Sequence, residues 1–90
     1  MDAKQIFGWN LRKARVERGI SQQALALEVG IEPAYAGRIE RGLENLSINI
    51  MEAMANALGV TMAELFRMPL PDEKPPAALK AGRRKGSIRQ

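Results

Sequence analysis

Apolar residues recur at helical spacing through the first 66 positions, and glycines at 19, 30, 42 and 59 interrupt the pattern at intervals. Phe7, Leu11 and Ala14 stand at i, i+4 and i+7, which predicts a helix over residues 3–18 with one inward side. Ser21 is a good N-cap for a second helix whose inward residues are Leu25, Ala26 and Val29. A third is expected over residues 33–41, with Pro33 at the first helical position, where its missing N–H costs nothing. Ser47 suits the N-cap of a fourth helix with Ile48, Met51, Ala55 and Leu58 turned inward, and Met51 and Met54 read as gap fillers. Thr61 and Glu64 have the spacing of a capping box for a short fifth helix ending near Phe66. Each of the four glycines follows a helical segment, where a left-handed C-cap belongs. No stretch alternates with period two, so the expected class is all-α with five helices.

From Pro69 the pattern stops. Four of the five prolines and a cluster of lysine and arginine occupy the last stretch, with few large apolar side chains to offset the entropy of ordering. The chain therefore divides into a folded domain at 1–68 and a flexible, Pro-rich basic tail at 69–90, whose AALKAGRRK portion can turn helical on a partner. Ninety residues build one small core. Such a core gains from a partner that covers more surface, so oligomerisation is expected.

Composition narrows the chemistry sharply. With no cysteine and no histidine, the chain cannot assemble the usual zinc sites, Ser-His or Cys-His nucleophile systems or imidazole bases. No enzyme activity, metal or cofactor is expected. No apolar run approaches the roughly 18 residues of a membrane span, and no secretory signal is visible at the start. The expected setting is the cytoplasm, with no membrane partner. The net charge of +4 belongs entirely to the tail: residues 1–71 balance eight basic against eight acidic side chains, while 72–90 hold six against two. A basic total is thus no argument that the folded part binds nucleic acid.

Residues 21–42, SQQALALEVGIEPAYAGRIERG, point to nucleic acid instead, because they have the form of a helix-turn-helix. Ser21 and Gln22 fall in the first turn of the leading helix, where unsatisfied N–H groups and the macrodipole favour a phosphate. A second helix entering the major groove by its N-terminal end would present Glu32, Pro33, Ala34, Gly37 and Arg38, with Tyr35 at the edge. Arg38 is the obvious direct reader, because a guanidinium grips guanine O6 and N7 together. Ala34 suits a thymine methyl. Glu32 suits a cytosine amino group or serves only as a helix cap. Arg41, at the helix C-terminus, either contacts DNA or simply favours the dipole. With so few donors, DNA shape is expected to supply the remaining discrimination.

Across residues 7–66 the pieces LRKAR, SQQALA, RIERG and MANALGVTMAELF, in that order, resemble the lambda-repressor/Cro (XRE-type) DNA-binding family. The AYAGRIERG and ENLS stretches are similar to the controller proteins of restriction-modification systems. The resemblance implies a five-helix lambda-repressor-like bundle and a homodimeric regulator of transcription. It also implies phosphate contacts at Ser21, Gln22, Tyr35 and Asn45, base-edge positions at Ala34, Gly37 and Arg38, and an ion pair between Arg15 and Glu40. Pro33, Ala34 and Gly37 depart from the family's usual Gln, Ser, Thr or Lys by offering no side-chain donor.

Two surfaces invite protein contacts. Met62, Leu65, Phe66 and Met68 give the last helix more apolar surface than one small core covers, which suggests packing on a symmetry mate. Trp9, off-centre from the Phe7 stripe, suits either the core or an exposed contact. The expected function is a sequence-specific regulator binding double-stranded DNA at a pseudo-palindromic operator as a homodimer, with no small-molecule effector. The alternative is a protein-interaction module such as an antitoxin or coactivator-like adaptor.

Overall fold

The computed structural model of the protein describes residues 1–77. Five helices follow in order: α1 (Ala3–Glu17), α2 (Gln22–Val29), α3 (Pro33–Glu40), α4 (Ile48–Leu58) and α5 (Met62–Leu65), with no strand among the described residues. Their starts are set locally. Ser21, Ser47 and Thr61 each accept a hydrogen bond from the backbone N–H three residues on, and Glu64 returns the bond to Thr61 N–H as a capping box. Asp2 and Gln5 form a second capping box at the start of α1, one not among the sequence expectations. Gly19, Gly30, Gly42 and Gly59 all carry positive φ. At Gly30 the left-handed conformation (φ 87°) turns α2 directly into α3, which a side chain would resist.

The core is one cluster built from Phe7, Leu11, Leu25, Ile39, Met54, Leu58 and Leu65, drawn from all five helices. Helices α2 and α3 pack mainly on each other, with α1 crossing behind α3 and α4 behind α2. At Gly8 the crossing is so close that an added Cβ would lie 2.4 Å from the Ile39 carbonyl oxygen and 2.6 Å from that of Glu40. Only glycine permits α1 and α3 to approach this far.

Two expectations about the inward faces are corrected. Ile48 is 68% exposed, whereas Met54, Ala55 and Leu58 are buried and Met51 is half-buried. The inward stripe of α4 thus begins a turn later, because the first helical residue projects past the edge of the core. Leu65 is 1% exposed and belongs to the monomer's own core, so it is not available to a second subunit. Burying such a side chain contributes about 1.5–3 kcal/mol.

The last helix is too short to stand alone and is fastened from outside. The buried Asn10 amide donates to the carbonyls of Leu65 (3.1 Å) and Arg67 (2.7 Å), and the Phe66 ring packs on Phe7 at 5.4 Å between centroids. Beyond it the chain turns back on α1. Glu73 accepts from Lys13 Nζ at 3.0 Å, from the Leu70 N–H at 3.1 Å and from Arg67 at 3.3 Å. The Lys13 hydrogen bond, then that of Leu70, and the two nearby cations lower the Glu73 carboxyl from its ordinary 4.5 to about 2. The segment after residue 68 therefore stays in contact with the domain at least as far as Glu73. The AALKAGRRK portion and the rest of the basic cluster fall almost wholly outside the described residues.

Candidate nucleic-acid interface

The helix pair is held as a unit by one buried polar network. Arg15 on α1 donates to Glu40 at the end of α3 through Nε (2.6 Å) and Nη2 (3.0 Å), and through Nη1 to the Ile20 carbonyl (2.8 Å). Gln22, in the first turn of α2, donates its amide N–H to the same Glu40 carboxylate at 2.9 Å. One carboxylate thereby ties α1, α2 and α3 together, with side-chain exposures of 6% for Arg15 and 2% for Glu40. A guanidinium fork on a carboxylate fixes orientation as well as distance.

That network leaves the opposite side of α3 open. Glu32, Pro33, Ala34 and Arg38 are exposed, Tyr35 and Gly37 are half-buried, and Ala36, Ile39 and Glu40 face the core. Glu32 occupies the N-cap position of α3 without a side-chain capping bond, so its carboxylate extends from the surface. Ala26, Leu27, Ile31, Ala34, Tyr35 and Arg38 line a shallow groove between the end of α2 and the start of α3.

Arg38 is engaged on two sides. Its Nε donates to Glu44 Oε2 at 2.6 Å, and its guanidinium carbon stands 5.5 Å from the centre of the Tyr35 ring. Glu44, from the loop between α3 and α4, is a functional candidate that sequence reasoning missed. A partner six residues away across a helix end leaves no periodic signal. Gln22 differs from the expected phosphate ligand, since its amide is turned inward to Glu40 and lies over Gly37. Ser21 sits at the α2 N-terminus, but its hydroxyl already caps the Ala24 N–H at 3.0 Å. Arg41 is exposed at the α3 C-cap, and Asn45 is exposed in the following loop. Trp9 is half-buried beside Gln5, Glu40 and Arg41, at the C-terminal end of α3 rather than its leading end.

On the last helix Met62 is half-buried against the core, Phe66 is partly covered by Phe7, and Met68 is exposed. Leu43, Ile48 and Leu70 add further exposed apolar side chains. The described residues hold no cluster of metal-ligating side chains and no helix long and apolar enough to cross a membrane.

A capped helix, a glycine turn and a second helix whose leading end is bare define a helix-turn-helix, and residues 11–65 match the family model described as HTH_3, helix-turn-helix. The chain belongs to this family, whose XRE-type members are DNA-binding regulators of transcription. Over 66 residues it is 36% identical to the control protein C.MunI of a Mycoplasma species, a match covering 72% of this chain and 89% of that protein. It is 35% identical to a hypothetical transcription factor of Neisseria meningitidis, over 76% of this chain and 64% of that sequence. Its fold also matches the crystal structure of the restriction-modification controller protein C.AhdI of Aeromonas hydrophila, with a TM-score of 0.67 and 38% identity over 70% of this chain and 96% of that one.

Proposed function

We propose that the protein is a homodimeric transcriptional regulator that recognises a pseudo-palindromic operator through the N-terminal half of α3. The observation that carries this reading is the asymmetry of α3: Ala36, Ile39 and Glu40 are locked into the domain while Glu32, Pro33, Ala34 and Arg38 stay exposed on a rigid support. Arg38 reads a guanine, Ala34 suits a thymine methyl, and Ser21, Tyr35 and Asn45 lie along the flanks for backbone phosphates. Residues 21–45 carry two arginines against four glutamates, so bulk electrostatic attraction contributes little from this surface. Sequence-dependent DNA shape supplies part of the discrimination.

A single α3 covers only a half-site. Met68, Phe66 and the exposed edge of Met62 are the apolar groups proposed to meet a second copy, which would set two α3 helices roughly 34–36 Å apart in successive major grooves. Likeness to C.MunI and C.AhdI favours a controller-like role, regulated by its own concentration without a small-molecule effector and acting in the cytoplasm where DNA is accessible. Selection of bound sequences from random duplex DNA at a stated salt concentration tests the reading. Enrichment of a palindrome bound more tightly than its scrambled version supports it. Equal affinity for both across salt refutes it.

A further inference from the structure

We infer that Glu44 is the positioning residue that sets how Arg38 reads a base, and that it trades nonspecific affinity for discrimination. The inference rests on the proposed DNA-reading role of α3. An arginine reaches guanine O6 and N7 with two parallel N–H groups, either end-on through Nη1 and Nη2 or side-on through Nε and one Nη. Glu44 occupies Nε at 2.6 Å, which removes the side-on approach. The Tyr35 ring on the other side limits rotation of the guanidinium. Neither Nη group has a hydrogen-bond partner among the described residues, so both remain at the end of the fork for a base edge.

The position of Glu44 gives this pair its consequence. Arg38 and Glu44 are partly exposed, with side-chain exposures of 44% and 26%, so their attraction alone adds little to the fold. A solvent-exposed arginine otherwise samples many rotamers and meets phosphate oxygens as readily as bases. The glutamate holds the long side chain in one geometry before DNA arrives, and its negative charge beside the groove repels the backbone of a mismatched duplex. Removing Glu44 should therefore act in opposite directions on the two kinds of DNA. Binding to scrambled sequence strengthens, while preference for the correct base at the Arg38 position weakens.

The test measures dissociation constants of wild type, Glu44→Ala, Glu44→Gln, Arg38→Ala and the Arg38→Ala/Glu44→Ala double variant at several salt concentrations. Each binds the selected operator, the same operator with individual guanine pairs replaced, and a scrambled duplex. Arg38→Ala should abolish a preference of about 5- to 150-fold at one guanine pair. Glu44→Ala should reduce that same preference by about two- to tenfold and tighten binding to the scrambled duplex. Glu44→Gln, which keeps an acceptor for Nε, should retain more of the preference than alanine. In the Arg38→Ala background the glutamate substitution should leave base preference unchanged. If Glu44→Ala strengthens binding to all duplexes by one common factor, Glu44 is only a local charge and the proposal fails while the DNA-reading role stands. If wild type itself does not distinguish operator from scrambled sequence, both fall together.

Discussion

Replacing Glu40 with alanine should unfold much of the domain at temperatures where the wild type is stable. The carboxylate accepts two bonds from Arg15 and one from Gln22, and its removal leaves the Arg15 guanidinium buried with only the Ile20 carbonyl as partner. Truncating one member of a buried ion pair costs about 3–5 kcal/mol, mostly from the stranded charge rather than from the lost attraction. Against a total stability of about 5–15 kcal/mol for a domain, that is a large fraction. At about 4–8 °C per kcal/mol for a chain of this size, the melting temperature should fall by roughly 12 °C or more. Thermal unfolding followed by circular dichroism measures it directly. Pairing Glu40→Leu with Arg15→Met should recover much of the loss, since neither charge is then left without its partner. A melting temperature within 2 °C (roughly 0.5 kcal/mol) of wild type for Glu40→Ala would refute the account of a single carboxylate fastening three helices.

Three further outcomes follow from the packing. Gly8→Ala gains about 1 kcal/mol of helix propensity but forces α1 and α3 apart at two backbone oxygens, an overpacking cost of about 1–3 kcal/mol or more, so urea denaturation should show net destabilisation. Glu73, with its pKa lowered from 4.5 to about 2, contributes stability that is fully present above its ordinary value and is lost as pH falls through about 2. Nuclear magnetic resonance signals of Leu70 and Lys13 in the wild type should accordingly stay unchanged near pH 4.5 and shift with a midpoint at about pH 2, and a Glu73→Gln variant should lack that transition. Met68→Ser removes an exposed apolar side chain from the proposed subunit contact and should lower the dimer fraction in sedimentation without changing the monomer's melting. An unchanged dimer would direct attention to Leu43 and Ile48, which are also exposed.

The helix starts were legible because their causes lie within a few residues: a hydroxyl at Ser21, Ser47 or Thr61 meets the N–H three positions later whatever the rest of the chain does. The same spacing was present at Asp2 and Gln5 and could have been read there too. Glycine inside the periodic stretch of α1 was a visible sign of close approach at Gly8, although nothing local named α3 as the neighbour. Asn10 interrupts the apolar side of α1 as a polar residue, and only the arrival of α5 explains it.

The candidate site was legible in outline and not in detail. Pro33, Ala34 and Arg38 could be assigned to one open side because α3 is short and its inward positions are the apolar Ala36 and Ile39 and the paired Glu40. Ile48 and Leu65 were assigned to the wrong environments because periodicity gives the direction of a face but not where the core ends along it. Likewise Gln22 turns inward and Glu44 captures Arg38 through contacts between elements. By itself the sequence determined five helices, four of them with side-chain N-caps, the glycine turn between the second and third, and a chemistry without histidine or cysteine. The tertiary structure alone decided which apolar residues remain uncovered and which polar ones are already paired, since burial and partnership depend on helices brought together from distant parts of the chain.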